Sequence, residues 1–426
     1  MNENRVVITG LGVCAPNGTT LAEFQQAIEK GVSGIRHQPE LERLGFSCQI
    51  AGMPELSPER IAQYFSPLEM RNMDSTGIVY GVIAGLDAWQ DAGLDTAAAN
   101  EPDWDTGTFF GTGTSGIDKF RWAINKIDAL EIRKLGSSVV VQTMASGVSA
   151  FISGKLGLGN RVSTNSAACA TGTESILMAY EHIKSGKAKR MLAGSTSDSG
   201  PYIWGGFDAM KVCTFKHNEA PETGSRPMSA TASGFVPGSG AGALVLESLE
   251  SALARKARIY GEIIGGHINS GGQRGGGTMT APNAAAVQRC INEAISDACI
   301  KPGDIEVING HLTATSKDAF EIANWKEALG CSKADFPYIN SLKGMIGHCI
   351  SASGSIESVA PVLQLHHGFI FPNVNCEDLH PEIAALIAED RIPQKRLKKS
   401  FNILAKASFG FGDVNACLIF KKYKNG

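Results

Sequence analysis

Cysteine and histidine can act as nucleophile and proton carrier near neutral pH, and three of them occupy settings here that invite a reaction. Cys169 stands in Thr164-Asn-Ser-Ala-Ala-Cys-Ala-Thr-Gly-Thr-Glu174. A strand-like stretch at 161–164 runs into small residues, and a helix is expected over 174–185, stopped by Gly186. Cys169 then falls near the N-terminus of a mostly buried helix. Unpaired backbone N–H groups and the helix dipole there favour thiolate, lower the thiol pKa and can bind an oxyanion. Small neighbours leave room for a substrate chain. A buried structural cysteine fits the same residues and, on this segment alone, is the commoner outcome.

Two histidines share a setting. His311 follows a strand-like run at 305–309 and opens His311-Leu-Thr-Ala-Thr315. His348 ends Asn340-Ser-Leu-Lys-Gly-Met-Ile-Gly-His348, with Lys343 five residues before it and the small-residue run Ser351-Ala-Ser-Gly354 after it. A neutral imidazole at a strand-to-helix turn can donate to a developing enolate oxygen or trade a proton. The other seven histidines lack such settings. Ser408-Phe-Gly-Phe-Gly-Asp-Val-Asn415 reads as a tight turn beside a pocket, with an aromatic between glycines able to move as a gate; an ordinary turn between strands fits it too. Gly111-Thr-Gly-Thr-Ser-Gly116 matches G-x-G-x-x-G but lies far into the chain and has no acidic residue on a strand at the required spacing, so it is a weak dinucleotide signal. Residues 265–277 hold seven glycines in thirteen, either as a mobile surface loop or as backbone lining a narrow pocket.

The elements that must carry these groups alternate between short apolar runs and amphipathic stretches, an α/β pattern. Strands are expected at 6–9, 108–110, 190–194, 240–246 and 305–308. Helices are expected at Leu21–Lys30, ending at Gly31, and at 283–298 with Asn283 as N-cap. A polar helix over 246–258 leading to a strand at 259–264 marks the best boundary and divides the chain into 1–250 and 251–426. The 426 residues are 43% hydrophobic and 19% charged with net charge −3, which fits a globular chain with a large core and gives no bulk attraction to nucleic acid or anionic membrane. No apolar run reaches the roughly 18 residues of a membrane span, and no secretory leader is visible, so a cytoplasmic protein is expected. The ten cysteines show no Cys-x-x-Cys pair or zinc-like spacing, and free thiols with no metal are expected.

Taken together, these motifs resemble those of the elongating β-ketoacyl-acyl-carrier-protein synthases, within the thiolase-like superfamily. Arg5-Val-Val-Ile-Thr-Gly-Leu-Gly-Val13 is similar to the opening strand, Ala168-Cys-Ala-Thr-Gly172 to the nucleophile motif, and His311 with Thr313 and Thr315 to the first histidine motif. Lys343-Gly-Met-Ile-Gly-His348 is similar to the second, and Gly410-Phe-Gly-Asp-Val-Asn415 to the C-terminal glycine loop. Five such matches in order span nearly the whole chain. The resemblance implies a five-layered αβαβα fold of two similar halves, the first carrying the cysteine and the second both histidines and the glycine loop. It implies an acyltransferase that needs no cofactor. Cys169 would take an acyl group from acyl-carrier protein, malonyl-carrier protein would lose CO₂, and the carbanion would attack the thioester to give a chain two carbons longer.

By the same resemblance, His311 and His348 would assist decarboxylation, Lys343 and Glu357 would support them, and the N–H groups of Cys169 and Phe411 would form the oxyanion hole. Phe411 would be the gate, and Thr114 and Phe409 would line the acyl tunnel. The partners implied are acyl- and malonyl-loaded carrier protein and a second subunit, as a homodimer or heterodimer. Lys126, Arg133, Lys134 and Lys216 are candidates for a basic rim facing an acidic carrier. The chain departs from the family at Leu312, Ala314, Ser229, Ser239, Asp413 and Val414, which suggests an altered pocket and admits a specialised polyene or polyketide-type pathway. A non-catalytic chain-length subunit would have lost the cysteine. A thiolase would bring a second catalytic cysteine, for which Cys417 is the candidate and a core thiol the simpler account.

Overall fold

Val6–Cys14 is apolar on both faces, and every residue of it is buried, as a strand covered on both sides by helices must be. The computed structural model describes residues 4–424; residues 1–3, part of the polar start read for a leader, lie outside them. Val6–Cys14 (β1) belongs to a ten-stranded sheet with Thr106–Thr112 (β2), Val162–Ser163 (β3), Arg190–Ser197 (β4), Gly240–Ser248 (β5), Gly261–Ser270 (β6), Val307–Asn309 (β7), Tyr338–Asn340 (β8), Ile403–Gly410 (β9) and Val414–Lys421 (β10). The spatial order is β8-β7-β9-β10-β6-β1-β5-β4-β2-β3. Numbered within each half, both halves read 3-2-4-5-1, with the last strand of each antiparallel to its neighbours. The halves meet at a short antiparallel ladder, Val6–Ile263, Val7–Glu262 and Ile8–Gly261.

Helices complete the layers. Thr76–Asp91 (α1) covers β1, β4 and β5 on one outer face; Ala284–Asp297 (α3) covers β6 and β10 on the other, with Asp318–Leu329 (α4) packed on it. Between the two half-sheets lie Thr171–Lys184 (α2) and Ser353–His367 (α5), each touching strands of both halves and each other. This is the αβαβα order expected. α5 is buried without a break from Ser353 to Leu365, and its small and apolar residues all round suit a helix enclosed on every side. No helix among the described residues is long and apolar enough to cross a membrane.

Local chemistry explains the boundaries. Leu21–Lys30 forms as expected, opened by a Thr20/Glu23 capping box and closed by Gly31 at φ +70°. The helix expected over 246–258 is shorter, Leu249–Ala254. Leu246 belongs to β5, the Ser248 side chain accepts from the Ser251 N–H and sets the start, and Lys256 at φ +56° follows the end. The strand expected at 305–308 forms at Val307–Asn309 after a tight turn over Pro302–Asp304.

α2 and α5 approach each other at glycines near their N-terminal ends. A Cβ on Gly172 would lie 2.3 Å from Ser355 N, and one on Gly354 would lie 2.5 Å from Thr173 N. Neither helix can carry a side chain there without moving apart. Gly354→Ala is therefore expected to lower the chemical-denaturation midpoint by an overpacking cost of about 1–3 kcal/mol, and to slow alkylation of Cys169, which precedes α2.

Candidate active site

Each half presents the same turn before its inner helix. In the first, Ala168 at φ +47° begins a single 3₁₀ turn, Ala168–Ala170, that runs into α2. In the second, Ile350 at φ +49° begins Ile350–Ala352, which runs into α5. A left-handed residue without glycine is strained by about 1–3 kcal/mol, and here it aims the following side chain. That side chain is Cys169 in one half and Ser351 in the other. His348 stands just before the second turn, and His311 follows β7 through Gly310.

These pieces converge. The Cys169 sulfur and one ring nitrogen of each histidine all lie within 4.8 Å of one another, and all three residues are buried. The two imidazoles meet edge to face, with ring centres 5.4 Å apart. His348 Nδ1 accepts the Ile350 N–H at 3.2 Å and lies 2.9 Å from Ser353 Oγ. A backbone donor at Nδ1 requires the neutral tautomer with its proton on Nε2, so the ring faces the site as an N–H donor. Burial first, and then the Lys343 charge, holds both histidines well below their usual pKa. The backbone N–H groups of Phe411 and of Cys169 itself face the sulfur.

The expectation of a lowered thiol pKa is corrected. Burial outweighs Lys343 and the two N–H groups, and pushes Cys169 up to about 11. The resting group is a thiol, and nucleophilic use of the sulfur requires its proton to pass to a base or to the departing thiolate.

Lys343 is buried; its Nζ donates to the His311 carbonyl at 2.7 Å and to Glu357. Sequence reading missed the carboxylates behind His311. Glu321 accepts the N–H groups of His311 and Leu312, each at 2.7 Å, and Asp318 accepts those of Thr313 (2.9 Å), Ala314 (3.2 Å) and Met228 (2.9 Å). They hold Leu312 and Ala314 at positive φ, +20° and +62°, the left-handed region that favours glycine. Burial raises Asp318 to about 6 and Glu321 to about 7.

A cavity of about 390 Å³ leads to the cysteine and histidines. Phe409, Phe411, Phe207 and Phe235 line it, and exposed Met210, Thr280 and Lys317 mark its opening. Phe207 and Phe235 had no distinguishing signal beyond glycine neighbours. Phe411 packs against Phe207 with ring centres 6.1 Å apart. Thr114 is exposed and outside the lining of this cavity. Lys126 and Lys134 pair with Glu131 at 2.7 and 2.5 Å, Arg133 and Lys216 are exposed, and Lys317 is a cation at the opening that sequence reading passed over. Cys417 lies in the core beside Ile308 and Ile291, and does not line the cavity. Cys169, His311 and His348 are close enough to ligate a metal ion; the same set serves equally as nucleophile and two neutral donors.

The glycine-rich stretch at 265–277 contributes nothing to the lining of the cavity that leads to Cys169. Its first part is the end of β6, and its second part wraps Asp413. The Asp413 carboxylate accepts the N–H groups of Asn283 (2.8 Å) and Gln273 (3.0 Å), and a Cβ on Gly271 or Gly277 would lie 2.1 or 2.4 Å from it. The Gly116 N–H of the G-x-G-x-x-G match donates to Asp198 at 2.7 Å, so that turn is tied inside the protein.

Comparisons with known proteins agree with this geometry. Residues 3–252 match the β-ketoacyl synthase N-terminal domain and residues 260–377 its C-terminal domain. The chain is 33% identical to 3-oxoacyl-[acyl-carrier-protein] synthase 2 of Vibrio harveyi, over 99% of each protein. It is 32% identical to 3-oxoacyl-[acyl-carrier-protein] synthase 1 of Escherichia coli K12, over 99% of this chain and 100% of that one. Among solved structures it resembles a β-ketoacyl synthase from Burkholderia phymatum (TM-score 0.88, 28% identity, 99% of this chain and 100% of that one). It also resembles a ketosynthase bound to a hexaketide and in complex with its type II polyketide acyl-carrier protein (TM-score 0.87, 28% identity, 99% and 100%).

Two outcomes follow. Iodoacetamide alkylation of Cys169, followed by mass spectrometry, is expected to accelerate about tenfold per pH unit from pH 7 to 9 without a plateau, because the thiolate fraction still rises that steeply below a pKa near 11. Asp413→Ala removes the charged acceptor of two part-buried N–H groups, at a cost of about 1–3 kcal/mol. Faster hydrogen exchange across 411–413 and a lower melting temperature are expected to report it.

Proposed function

The chain belongs to the β-ketoacyl synthase family, and we propose that it performs the decarboxylative condensation of that family, elongating a carrier-bound acyl chain by two carbons in type II fatty-acid synthesis. The observation that carries this reading is the convergence of the Cys169 sulfur with two neutral imidazoles within 4.8 Å at the end of an aromatic-lined cavity. Cys169 attacks the acyl-carrier thioester, the carrier thiol leaves, and the acyl group stays on sulfur. The N–H groups of Cys169 and Phe411 stabilise the tetrahedral oxyanion. Malonyl-carrier protein then binds. The His348 Nε2–H and the His311 ring donate to its thioester oxygen as the C–C bond to carboxylate breaks, CO₂ leaves, and the electron pair becomes the enolate. The α-carbon attacks the acyl-cysteine carbonyl, sulfur leaves, and the β-ketoacyl chain departs on the carrier. Neutral histidines suit this step, since each offers a donor without a buried charge to desolvate.

The partner is an acyl-carrier protein docking at the opening marked by Met210, Thr280 and Lys317. Lys126, Arg133, Lys134 and Lys216 are further contacts, and Thr114 joins the acyl tunnel where a second subunit closes it. Exposed Phe120, Ile124 and Ile127 on the helix Ile117–Asp128, with the exposed edge residue Val162, support a homodimer. A cytoplasmic location fits a carrier-dependent reaction. A specialised polyketide or polyene pathway is the second reading, favoured by the departures at Leu312, Ala314 and Asp413 and supported by the likeness to a structure described as a ketosynthase/chain length factor (TM-score 0.87).

Incubation with acyl- and malonyl-carrier protein is expected to give a Cys169 acyl adduct by intact mass and a product longer by two carbons. Cys169→Ala is expected to lower product formation by roughly a thousandfold or more, and a strong chelator to change nothing. A wild type that neither acylates nor decarboxylates would overturn the assignment in favour of a non-catalytic partner subunit.

A further inference from the structure

Ile403–Gly410 follows the two-residue period of a strand. Ile403, Ala405, Ala407 and Phe409 face the core of the second half, and Leu404, Lys406 and Ser408 face the other way, toward α5 and α2. A lysine on the inner face of a central strand breaks the apolar pattern, and Lys406 has no exposed surface. Its Nζ lies 2.8 Å from Glu357 Oε2, while Lys343 occupies Oε1 of the same carboxylate. It also donates to the Ala407 carbonyl and to Ser408 Oγ at 3.1 Å, and Ser408 Oγ bonds Thr173 Oγ1 of α2 at 2.8 Å. Three buried ionic groups thus form a chain of two ammoniums on one carboxylate. An excess positive charge in a dry interior is costly unless something nearby uses it.

The groups that use it are around it. His311 and His348 feel both lysines; Glu321, Glu357 and Asp318 are the carboxylates behind them, and Cys169 and Cys417 the adjacent thiols. We propose that Lys406 is a second positioning residue of the condensing site: sharing Glu357 with Lys343, it adds a fixed charge behind the two histidines that keeps both imidazoles neutral, and so able to donate to the malonyl thioester oxygen. Burial, the largest influence, holds the Lys406 pKa below its usual value, and Glu357 opposes that by favouring the charged form. Each positive charge near an imidazole disfavours the imidazolium. Removing one raises both histidine pKa values, so protonation begins at higher pH.

This rests on the condensing reading above, and the experiment separates the two. Malonyl-carrier decarboxylation and condensation are followed against pH for the wild type, Lys406→Gln and Lys406→Met. Gln keeps donors for Glu357 and Ser408 without the charge, and Met removes both. The acid limb is expected to move to higher pH by roughly half a unit to one unit in both variants, and Lys406→Arg is expected to return it toward the wild-type position. Histidine ring NMR titrations of the wild type and Lys406→Gln, assigned with His311→Asn and His348→Asn, read the same shift without turnover. An unshifted acid limb in a folded Lys406→Gln protein, with only its melting temperature lowered, would make Lys406 a structural ion pair and overturn the inference. Ordinary titration of both rings near 6.5 in the wild type would overturn it as well. An inactive wild type would count against condensation alone, and the ring titrations would still decide the charge effect.

Discussion

A close contact between two helix backbones lies at the centre of the interior. Gly172 of α2 and Gly354 of α5 leave no space for a methyl group between the helices, and the reactive residues of each half lie within a few residues of that crossing. Cys169 precedes one helix and His348 the other. Separation of the helices by the width of one side chain would take the sulfur away from the imidazole, whatever else remained intact. The two half-sheets clamp the pair from both sides, and so the whole layered architecture maintains one short distance.

Within that clamp, charge is arranged so that the reacting groups start neutral. Burial holds the thiol protonated and the imidazoles deprotonated. The ionic groups sit one layer back: Lys343 and Lys406 on Glu357, and Glu321 and Asp318 on backbone N–H groups that keep the His311 turn in strained conformations. Direct ionisation of the reacting atoms in this interior would carry a large desolvation cost; fixed dipoles and remote charges act instead when charge develops during reaction. The turn that carries Phe411 follows the same design, since it is anchored by one buried carboxylate, Asp413, inside a ring of glycine backbone.

Much of this was legible in the residues. Leu21–Lys30 reads off its capping box and terminal glycine, and 283–298 off its apolar stripe and Asn283. Cys169, His311 and His348 stand out by their small neighbours at strand-to-helix turns. Lys343 and Glu357 needed the resemblance, because a lysine and a glutamate fourteen residues apart carry no local signal of meeting. Lys406, Asp318, Glu321, Phe207 and Phe235 became visible only in three dimensions, where sheet register and packing bring distant segments together. The two similar halves needed the resemblance, because they share strand order and a left-handed turn while differing in side chains: Ala168-Cys-Ala170 against Ile350-Ser-Ala352. The direction of the Cys169 pKa was misread because a helix terminus is local, and burial, which outweighs it, depends on the whole fold.

The order of strands along the chain also bears on how the protein is made. β9 and β10, which come after both β6 and β7 along the chain, insert between them, and they bring Phe411, Lys406 and the wall over the cysteine. Until β9 and β10 have been synthesised, the turn bearing Cys169 lacks the strands that complete the second half of the sheet and has no Phe411 beside it. The buried surroundings of the thiol are therefore assembled from both halves of the chain, and neither half alone encloses it.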